Sequence, residues 1–187
     1  MTKNMNVVRH CEAVGQFSEA QLTEQGGKQA EFLAGFFSDK KIDRIISSPF
    51  LRAIQSAEPI SQKTNLKIEI DERLSERVLS TTDLPDWYEK LKETFNDSEL
   101  KFEGGESSQE AMNRIVNVVD EVFKSESENT LIVTHGNIMS LLLKNFNSDF
   151  GFECWKNLSN PDVFQLCLTE NEVNIERIWQ GQTIHLI

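Results

Sequence analysis

A histidine follows each of two apolar runs of the chain, and in one of them an arginine stands directly before it. One run leads through VVRHCEA into Arg9 and His10, and the other leads through LIVTHGN into His135 and Gly136. The chain contains only 3 histidines, so two of them occupy comparable positions after apolar runs. Residues of these types at such positions indicate a site that binds an anion.

Together with Arg52, these side chains suit a tetrahedral oxyanion. Arginine presents a fixed fork that pairs with two oxygens at once, and the backbone N–H groups of a helix that begins after a strand add further donors. A histidine near neutral pH can act as a nucleophile through one ring nitrogen while a backbone carbonyl holds the other. No acidic Mg²⁺-binding cluster and no Walker-type GxxxxGK[ST] loop occurs in the sequence, so the positive charge would come from side chains.

The pairing of the histidines matters, because a single histidine at the end of a strand is more often a structural residue. The interpretation therefore depends on the elements that precede them. Short β-branched runs predict strands at MNVV, DRIISS, LKIEI and NTLIVT, and DVFQLCLT with EVNIERIW around Glu170-Asn171 predicts an antiparallel hairpin. Helical patterns lie between these runs, at LTEQGGKQAEFLAGFFS, PFLRAIQSAEPISQKT, DLPDWYEKLKETF, SSQEAMNRIVNVVDEVFKS and GNIMSLLLKNF.

Three helix starts carry sequence signals of their own. Thr23 is predicted to cap the first helix, and Pro49 is placed in the first turn of the second, where proline is tolerated. Ser107 followed by Glu110 has the form of a capping box.

The alternation of strand and helix predicts an α/β protein. We expect a three-layer α/β/α sandwich, with a mostly parallel central sheet and an antiparallel edge strand. In such folds ligands bind at the carboxyl edge of the sheet. Arg9 and His10 follow one strand, His135 and Gly136 another, and Arg52 a third, so the topology brings them to one edge.

Composition limits the remaining classes of function. A chain of 187 residues with 39% hydrophobic and 26% charged residues predicts one globular domain over residues 1–187, with a small cap from about 71–105. No apolar run approaches the roughly 18 residues that span a membrane, and no secretory signal is visible, so we expect a cytoplasmic protein without a membrane partner. The net charge of −11 and the lack of a basic cluster argue against a nucleic acid partner.

The cysteines predict neither a disulfide framework nor a metal site. Cys11, Cys154 and Cys167 are far apart and odd in number, and no CxxC or HxxxH spacing occurs. We expect Cys154 and Cys167 to be small buried apolar residues. The sequence therefore predicts no metal and no cofactor.

Five stretches of this chain resemble motifs of a known family. VVRHCEA followed by LTEQGGKQA is similar to the RHG signature of the histidine phosphatase superfamily, the phosphoglycerate mutase-like proteins. The other four are IISSPFLRAIQSAEPI, similar to SSPLxRAxQTA; DERLSER, similar to the LxE segment; EGGESSQEAMNRI, similar to the GGES…R helix start; and VTHGNIM, similar to the second HG motif. They occur in the family's order over residues 7–140.

The resemblance implies a role for each site residue. His10 would be the nucleophile that accepts a phosphoryl group as phosphohistidine. Arg9, Arg52 and His135 would hold the non-bridging oxygens, where charge is greatest in a loose in-line transition state, and Gly136 would help to bind phosphate.

The same resemblance assigns the acid. Glu76 would protonate the leaving oxygen as general acid and then activate water as general base. Without the resemblance, the sequence does not separate Glu76 from Glu12 or Glu72. The GGES stretch is interpreted as a flexible loop and a helix cap, and Ser48 as a turn residue.

The chain also departs from the family's pattern. Cys11 stands where the family usually has glycine, which would place a thiol beside His10; we expect a packed thiol, with weakened activity or sensitivity to oxidation as the alternatives. The asparagine and second arginine of the mutases and the GxWEG stretch are absent. The segment between Glu76 and Gly105 is shorter than the mutases' insertion, and a short, open cap admits water, so hydrolysis is favoured over phosphoryl return.

Three functions are consistent with these observations. The first is a metal-independent phosphomonoester hydrolase acting on a small phosphorylated metabolite. The alternatives are a cofactor-dependent phosphoglycerate mutase, and a weakly active domain that binds a phospho-ligand for regulation. A homodimer is left open: the aromatic side chains at Phe146, Phe150, Phe152 and Trp155 are expected in the core, with an entrance or a dimer contact as the other interpretations.

Overall fold

The protein is described by a computed structural model that covers residues 2–169 and 172–180. Six strands are present in this part of the chain: β1 Lys3–Arg9, β2 Arg44–Ser47, β3 Ile68–Ile70, β4 Asn129–Thr134, β5 Asp162–Leu168 and β6 Val173–Arg177. The helices are α1 Glu24–Phe36, α2 Leu51–Thr64, α3 Trp87–Asn96, α4 Ser108–Lys124, α5 Gly136–Phe146 and α6 Phe152–Lys156, and a 3-10 turn spans Glu72–Leu74.

The strands form one sheet in the order β3-β2-β4-β1-β5-β6. Neighbours among β1 to β4 pair in parallel, whereas β5 pairs antiparallel with both β1 and β6. The predicted α/β fold with a mostly parallel sheet and an antiparallel hairpin at its edge is confirmed. Glu170-Asn171, the predicted turn of the hairpin, lies outside the described residues.

The central strands are buried on both faces because helices cover both sides of the sheet. Successive residues of a strand point to opposite faces, and Val7 and Val8 of β1 accordingly belong to two different apolar clusters. The cluster of Val7 includes Ile115 of α4, and the cluster of Val8 includes Leu33 of α1 and Ala53 of α2. This burial explains why the strand sequences are continuous apolar runs.

Two of the three predicted helix starts have the expected geometry. The Thr23 side chain accepts a hydrogen bond of 2.9 Å from the backbone N–H of Gly26. Ser107 and Glu110 form both hydrogen bonds of the capping box. Each cap of this kind stabilises its helix by about 1 kcal/mol.

Pro49 is not in the first turn of its helix, contrary to the sequence prediction. Helix α2 begins at Leu51, and its N-cap is Phe50, with an extended backbone at ψ 134°. Pro49 and Phe50 form a bend after β2, and the Ser48 side chain accepts a 3.2 Å hydrogen bond from the backbone N–H of Phe50. Ser48 directly follows β2 and therefore lies at the carboxyl edge of the sheet.

The prediction that Cys154 and Cys167 are buried is wrong. Cys154 is exposed and Cys167 is half-buried. Cys154 lies in α6, a five-residue helix that the sequence pattern did not reveal. Phe152 and Trp155 of the same helix do pack inward, where Phe152 is buried against Phe95.

The segment between β3 and α4 leads from the carboxyl edge of the sheet to the helical layer that contains α4. It contains the 3-10 turn, α3 and loops on either side of that helix. Its designation as a cap stays a prediction.

Within residues 2–169 and 172–180, no helix is long and apolar enough to cross a bilayer.

Candidate active site

The two histidine rings meet because their strands are neighbours. Strands β1 and β4 pair in parallel with Arg9 opposite Thr134, so the next residue of each strand, His10 or His135, leaves the sheet beside the other. The backbone N–H of His10 donates to the carbonyl of Thr134 at 3.0 Å. The ring centroids are 5.1 Å apart, and the residues are 5% and 0% exposed.

Two hydrogen bonds fix the orientation of the His10 ring. Its Nδ1 donates to the backbone carbonyl of Cys11 at 2.7 Å, and its Nε2 accepts from Nε of Arg52 at 3.1 Å. With the proton on Nδ1, the lone pair is on Nε2, beside a guanidinium group. The ring is therefore held as a neutral imidazole, and the lone pair of Nε2 lies on the side of Arg52.

Burial is the main cause of the unusual acidity of both rings. It lowers the pKa of His10 to about 3; the hydrogen bond to Cys11 acts in the opposite sense, and the charges of Arg52 and Arg9 lower it further. Burial likewise lowers the pKa of His135 well below its usual value, with a further contribution from His10. Both rings are neutral near pH 7, which is the state a nucleophile requires.

Arg52 is a fully buried cation in the first turn of α2. Its Nη1 donates to the carbonyl of Phe17 at 2.9 Å, and its guanidinium carbon lies 5.0 Å from the centre of the Phe50 ring. Burial lowers the pKa of this group, and the nearby Glu76 carboxylate partly offsets the effect. Since an arginine stays protonated in proteins, the site holds a buried positive charge.

Arg9 is the second cation of the site. Its Nη1 donates to the carbonyl of Leu158 at 3.1 Å. A Cβ at Gly136 would lie 2.9 Å from Nε of Arg9, so any larger residue there would displace the guanidinium group. This close contact is what the structure shows for Gly136, and its predicted role in binding phosphate stays a prediction.

Three buried donors near His10 have no hydrogen-bond partner among residues 2–169 and 172–180. They are Nε of Arg9, Nη2 of Arg52 and Nδ1 of His135. The other nitrogen of His135, Nε2, lies 2.7 Å from Oγ of Ser48; when Nε2 accepts a hydrogen bond from this hydroxyl, the ring proton is on Nδ1, which is then free to donate. A buried donor without a partner costs about 1–3 kcal/mol, and an anion with several acceptor oxygens would satisfy all three.

Glu76 lies near both arginines of the site. Its Oε2 accepts from the backbone N–H of Asn137 at 3.1 Å, and its Oε1 accepts from Ile138 at 2.9 Å and from Arg77 at 2.8 Å. Two of these donors belong to the first turn of α5. The carboxyl group is thus fixed beside the start of the helix that follows His135.

The structure separates Glu76 from the two other carboxylates that the sequence left open. Glu12 is exposed and accepts a hydrogen bond from the Thr23 hydroxyl at 2.7 Å. Glu72 is exposed in the 3-10 turn. Of the three, only Glu76 contacts α5, and it is close enough to influence both Arg9 and Arg52.

Cys11 does not project into the group of polar side chains. It is fully buried in the apolar cluster that contains Ala30, Leu33 and Ala53. Burial raises the pKa of its thiol to about 12, so the reactive thiolate is disfavoured. The thiol lies between the sheet and the α1–α2 layer.

Two polar contacts at the site were missed in the sequence. Ser48, interpreted there as a turn residue, contacts His135 as described above. Asn160 donates from its side-chain amide to the backbone carbonyl of His10 at 2.9 Å. A serine in an SSP stretch carries a weak signal, whereas nothing around Asn160 in the sequence links it to a residue 150 positions away.

Among the residues that the structure describes, no cluster of histidine, cysteine and acidic side chains could hold a metal ion.

The chain is similar to known proteins over most of its length. The family model described as "Histidine phosphatase superfamily (branch 1)" matches residues 6–180. Phosphoserine phosphatase 1 of Hydrogenobacter thermophilus is 31% identical over 142 residues, which cover 68% of this chain and 67% of that protein.

Two solved structures show the same fold at lower identity. The mycobacterial glucosyl-3-phosphoglycerate phosphatase superposes with a TM-score of 0.77 at 21% identity, over 95% of this chain and 98% of the other. The phosphoserine phosphatase of Entamoeba histolytica, solved as a mutant with phosphoserine, gives a TM-score of 0.75 at 17% identity, over 92% and 94%.

Proposed function

The chain belongs to the histidine phosphatase superfamily and is a phosphatase, and on this premise we propose that it hydrolyses small phosphomonoesters through a phosphohistidine intermediate on His10. The observation that carries the proposal is the group of buried, unpartnered donors around a neutral imidazole. Their nitrogens belong to Arg9, Arg52 and His135, whose side chains lie close to His10, and Arg52 also donates to Nε2 of that ring.

In the first step, Nε2 of His10 attacks the phosphorus atom. The N–P bond forms as the bond from phosphorus to the ester oxygen breaks. Arg9, Arg52 and His135 donate to the three non-bridging oxygens, whose charge they stabilise in the transition state. Glu76 in its protonated form gives its proton to the leaving oxygen, because an alkoxide is a poor leaving group.

In the second step, a water molecule attacks the phosphorus of the phosphohistidine. Glu76, now a carboxylate, accepts a proton from that water, and the N–P bond breaks to return a neutral His10. Inorganic phosphate leaves, and Glu76 is again protonated for the next cycle. The two steps use the same acid–base residue in opposite directions.

The positive charge in this mechanism comes from two guanidinium groups. Arg52 is fully buried and Arg9 is half-buried at the site, where charges act more strongly than in water. We therefore propose that hydrolysis requires no metal ion. Phosphoserine is the first substrate to test, since the curated relative is named for it; sugar phosphates and 3-phosphoglycerate complete a panel of small phosphomonoesters.

The test measures phosphate release from this panel in the presence of EDTA, for the wild type and for His10→Ala. We expect release that EDTA does not reduce and that the variant loses. Isomerised phosphoglycerate with little free phosphate would instead identify a mutase. Binding of phosphate without release from any ester would identify a regulatory domain.

A further inference from the structure

Glu76 lies in a segment without strand or helix, between the 3-10 turn and α3. A side chain that transfers a proton must be held to within a fraction of an ångström of its productive position. Its own three hydrogen bonds orient the carboxyl group but do not explain what fixes the backbone that carries it. This backbone is held by side chains of helix α4 and of the GGES stretch that precedes it.

Arg114 of α4 binds the backbone on the N-terminal side of that carboxyl. Its Nη1 donates to the carbonyls of Arg73 at 2.6 Å and Ser75 at 2.8 Å, and its Nη2 donates to the carbonyl of Glu76 at 3.3 Å. Its two remaining N–H groups donate to Glu106. All five donors of the guanidinium group are thus used.

Glu106 binds the same segment on the C-terminal side. Its Oε1 accepts from Nε of Arg114 at 2.7 Å, and its Oε2 accepts from Nη2 at 2.9 Å and from the backbone N–H of Val78 at 3.0 Å. Burial alone would raise the pKa of Glu106, but the hydrogen bonds from Arg114 and Val78 outweigh it, and the pKa is lowered. The carboxylate is therefore charged and bidentate near neutral pH.

The backbone of Glu106 adds a second attachment. Its N–H donates to the carbonyl of Val78 at 2.8 Å, and its carbonyl accepts from Nη2 of Arg77 at 2.9 Å. This pairing brings the two backbone segments so close that a Cβ at Gly105 would lie 2.1 Å from the carbonyl oxygen of Leu79. The GGES stretch, interpreted from sequence as a flexible loop, is therefore a packed junction as well as a helix cap.

We propose that Arg114 and Glu106 are positioning residues that hold Glu76 in place for proton transfer. The proposal rests on the proposed function, because it gives Glu76 the role of general acid. Neither residue makes a hydrogen bond to His10, Arg9 or Arg52. Their loss should therefore disturb the acid and spare the phosphate-binding groups.

If only the acid is disturbed, the loss of activity in these variants should depend on the leaving group of the ester. An alkyl phosphate needs the acid to protonate its leaving oxygen, whereas p-nitrophenyl phosphate releases a stabilised phenolate and needs it much less. A loss of positioning should slow the first ester far more than the second. A general loss of folded protein would slow both esters equally.

The experiment measures kcat/KM, which reports formation of the phosphohistidine, for p-nitrophenyl phosphate and for the alkyl ester of the panel that the wild type cleaves fastest. The variants are Arg114→Met and Glu106→Gln. We expect each to lose about 10- to 100-fold on the alkyl ester and less than about threefold on p-nitrophenyl phosphate. Glu106→Gln keeps the shape of the side chain and supplies the comparison if Arg114→Met does not fold.

A matched control comes from the neighbouring ion pair. Glu121 of α4 binds Arg73 through an exposed contact, and Glu121→Gln should leave both rates unchanged. Arg114→Lys keeps the charge but not the five donors, so it should resemble Arg114→Met rather than the wild type.

Equal losses on both esters, or no loss on either, would overturn the positioning role of Arg114 and Glu106 while leaving the proposed function intact. Failure of the proposed function has a different signature. If Glu76→Gln slows both esters equally, Glu76 is not the acid; if His10→Ala retains activity, His10 is not the nucleophile.

Discussion

The two halves of the site are built in different ways. The phosphate half, defined here as Arg9, His10, Arg52 and His135, is positioned directly by regular elements. Three of these residues end or follow the paired strands β1 and β4, and Arg52 lies in the first turn of α2. The strand ladder and the helix therefore fix their backbone positions.

The acid half, defined as Glu76 with Arg114 and Glu106, has no such framework. The backbone of Glu76 is irregular, and it is held by hydrogen bonds from the side chains of Arg114 in α4 and of Glu106 in the GGES stretch. The comparison teaches that the two halves can be damaged separately. Loss of a contact in the phosphate half should affect every substrate, whereas loss in the acid half should affect substrates according to their leaving groups.

The largest effect is expected from the nucleophile. His10→Ala should reduce kcat/KM by about 10⁴-fold or more on both alkyl and p-nitrophenyl esters, as removal of a nucleophile does in other enzymes. Steady-state assays of phosphate and p-nitrophenol release measure this. If the variant retained activity on either ester, cleavage of that ester would not pass through a phosphohistidine on His10.

Burial of His10 should also make the folded protein sensitive to acid. Because its pKa of about 3 in the folded state lies below the unfolded value of about 6.5, the unfolded chain binds more protons as the pH falls. Stability from this residue is fully present above about pH 6.5 and is lost as the pH falls towards 3. Between pH 7 and pH 4, the wild type should lose about 3 kcal/mol more unfolding free energy than His10→Asn. Urea unfolding at both values measures the difference, and equal losses would contradict the buried neutral ring.

Glu76→Gln should separate the two halves most clearly. We expect kcat/KM to fall by about 10²- to 10³-fold on the alkyl ester and by less than about tenfold on p-nitrophenyl phosphate. Glu72→Gln, an exposed carboxylate in the same segment, is the matched control and should behave as the wild type does. A uniform loss on both esters would place Glu76 in the phosphate half instead.

A smaller effect is expected at Ser48. Its hydroxyl holds Nε2 of His135 at 2.7 Å, so Ser48→Ala frees the ring to rotate and leaves a buried nitrogen without a partner. The loss should be about tenfold and the same on both esters. A loss confined to the alkyl ester would contradict the assignment of His135 to the phosphate half.

The smallest effect is expected at Cys11. Its thiol is packed in the apolar cluster under α1 and α2, so Cys11→Ala should leave kcat/KM on both esters within about threefold and lower the unfolding free energy by about 1 kcal/mol. Cys11→Gly should likewise not raise turnover. Faster turnover, or protection from peroxide in either variant, would show that the thiol reaches the site.

Much of the phosphate half could be predicted from the sequence because strand period and strand ends are local signals. The apolar run before His10 and the run before His135 predict parallel strands, and the residues directly after parallel strands lie at one edge of the sheet. The acid half lacks such a signal. Glu76 was distinguished from Glu12 and Glu72 only through a family resemblance, since its partners in α4 and α5 are remote in sequence.

The errors have a physical pattern as well. Pro49 is a favourable residue for a first helical turn, but the chain is non-helical through Phe50, where Ser48 contacts both His135 and the backbone N–H of Phe50. Cys154 was assigned to the interior from its residue type, yet it lies on a short helix whose aromatic residues take the inward face. In both cases a tertiary contact overrides a local preference.

The central claim is that His10 carries the phosphoryl group between the two steps. The most direct test quenches a reaction of Glu76→Gln with p-nitrophenyl phosphate in base and locates the phosphoryl group by mass spectrometry. Phosphorylation should proceed in this variant while hydrolysis, which needs the base, is slow, so we predict an acid-labile phosphate on His10 and a burst of p-nitrophenol. A burst with the phosphate on another residue, or turnover without any phosphorylated protein, would contradict the mechanism.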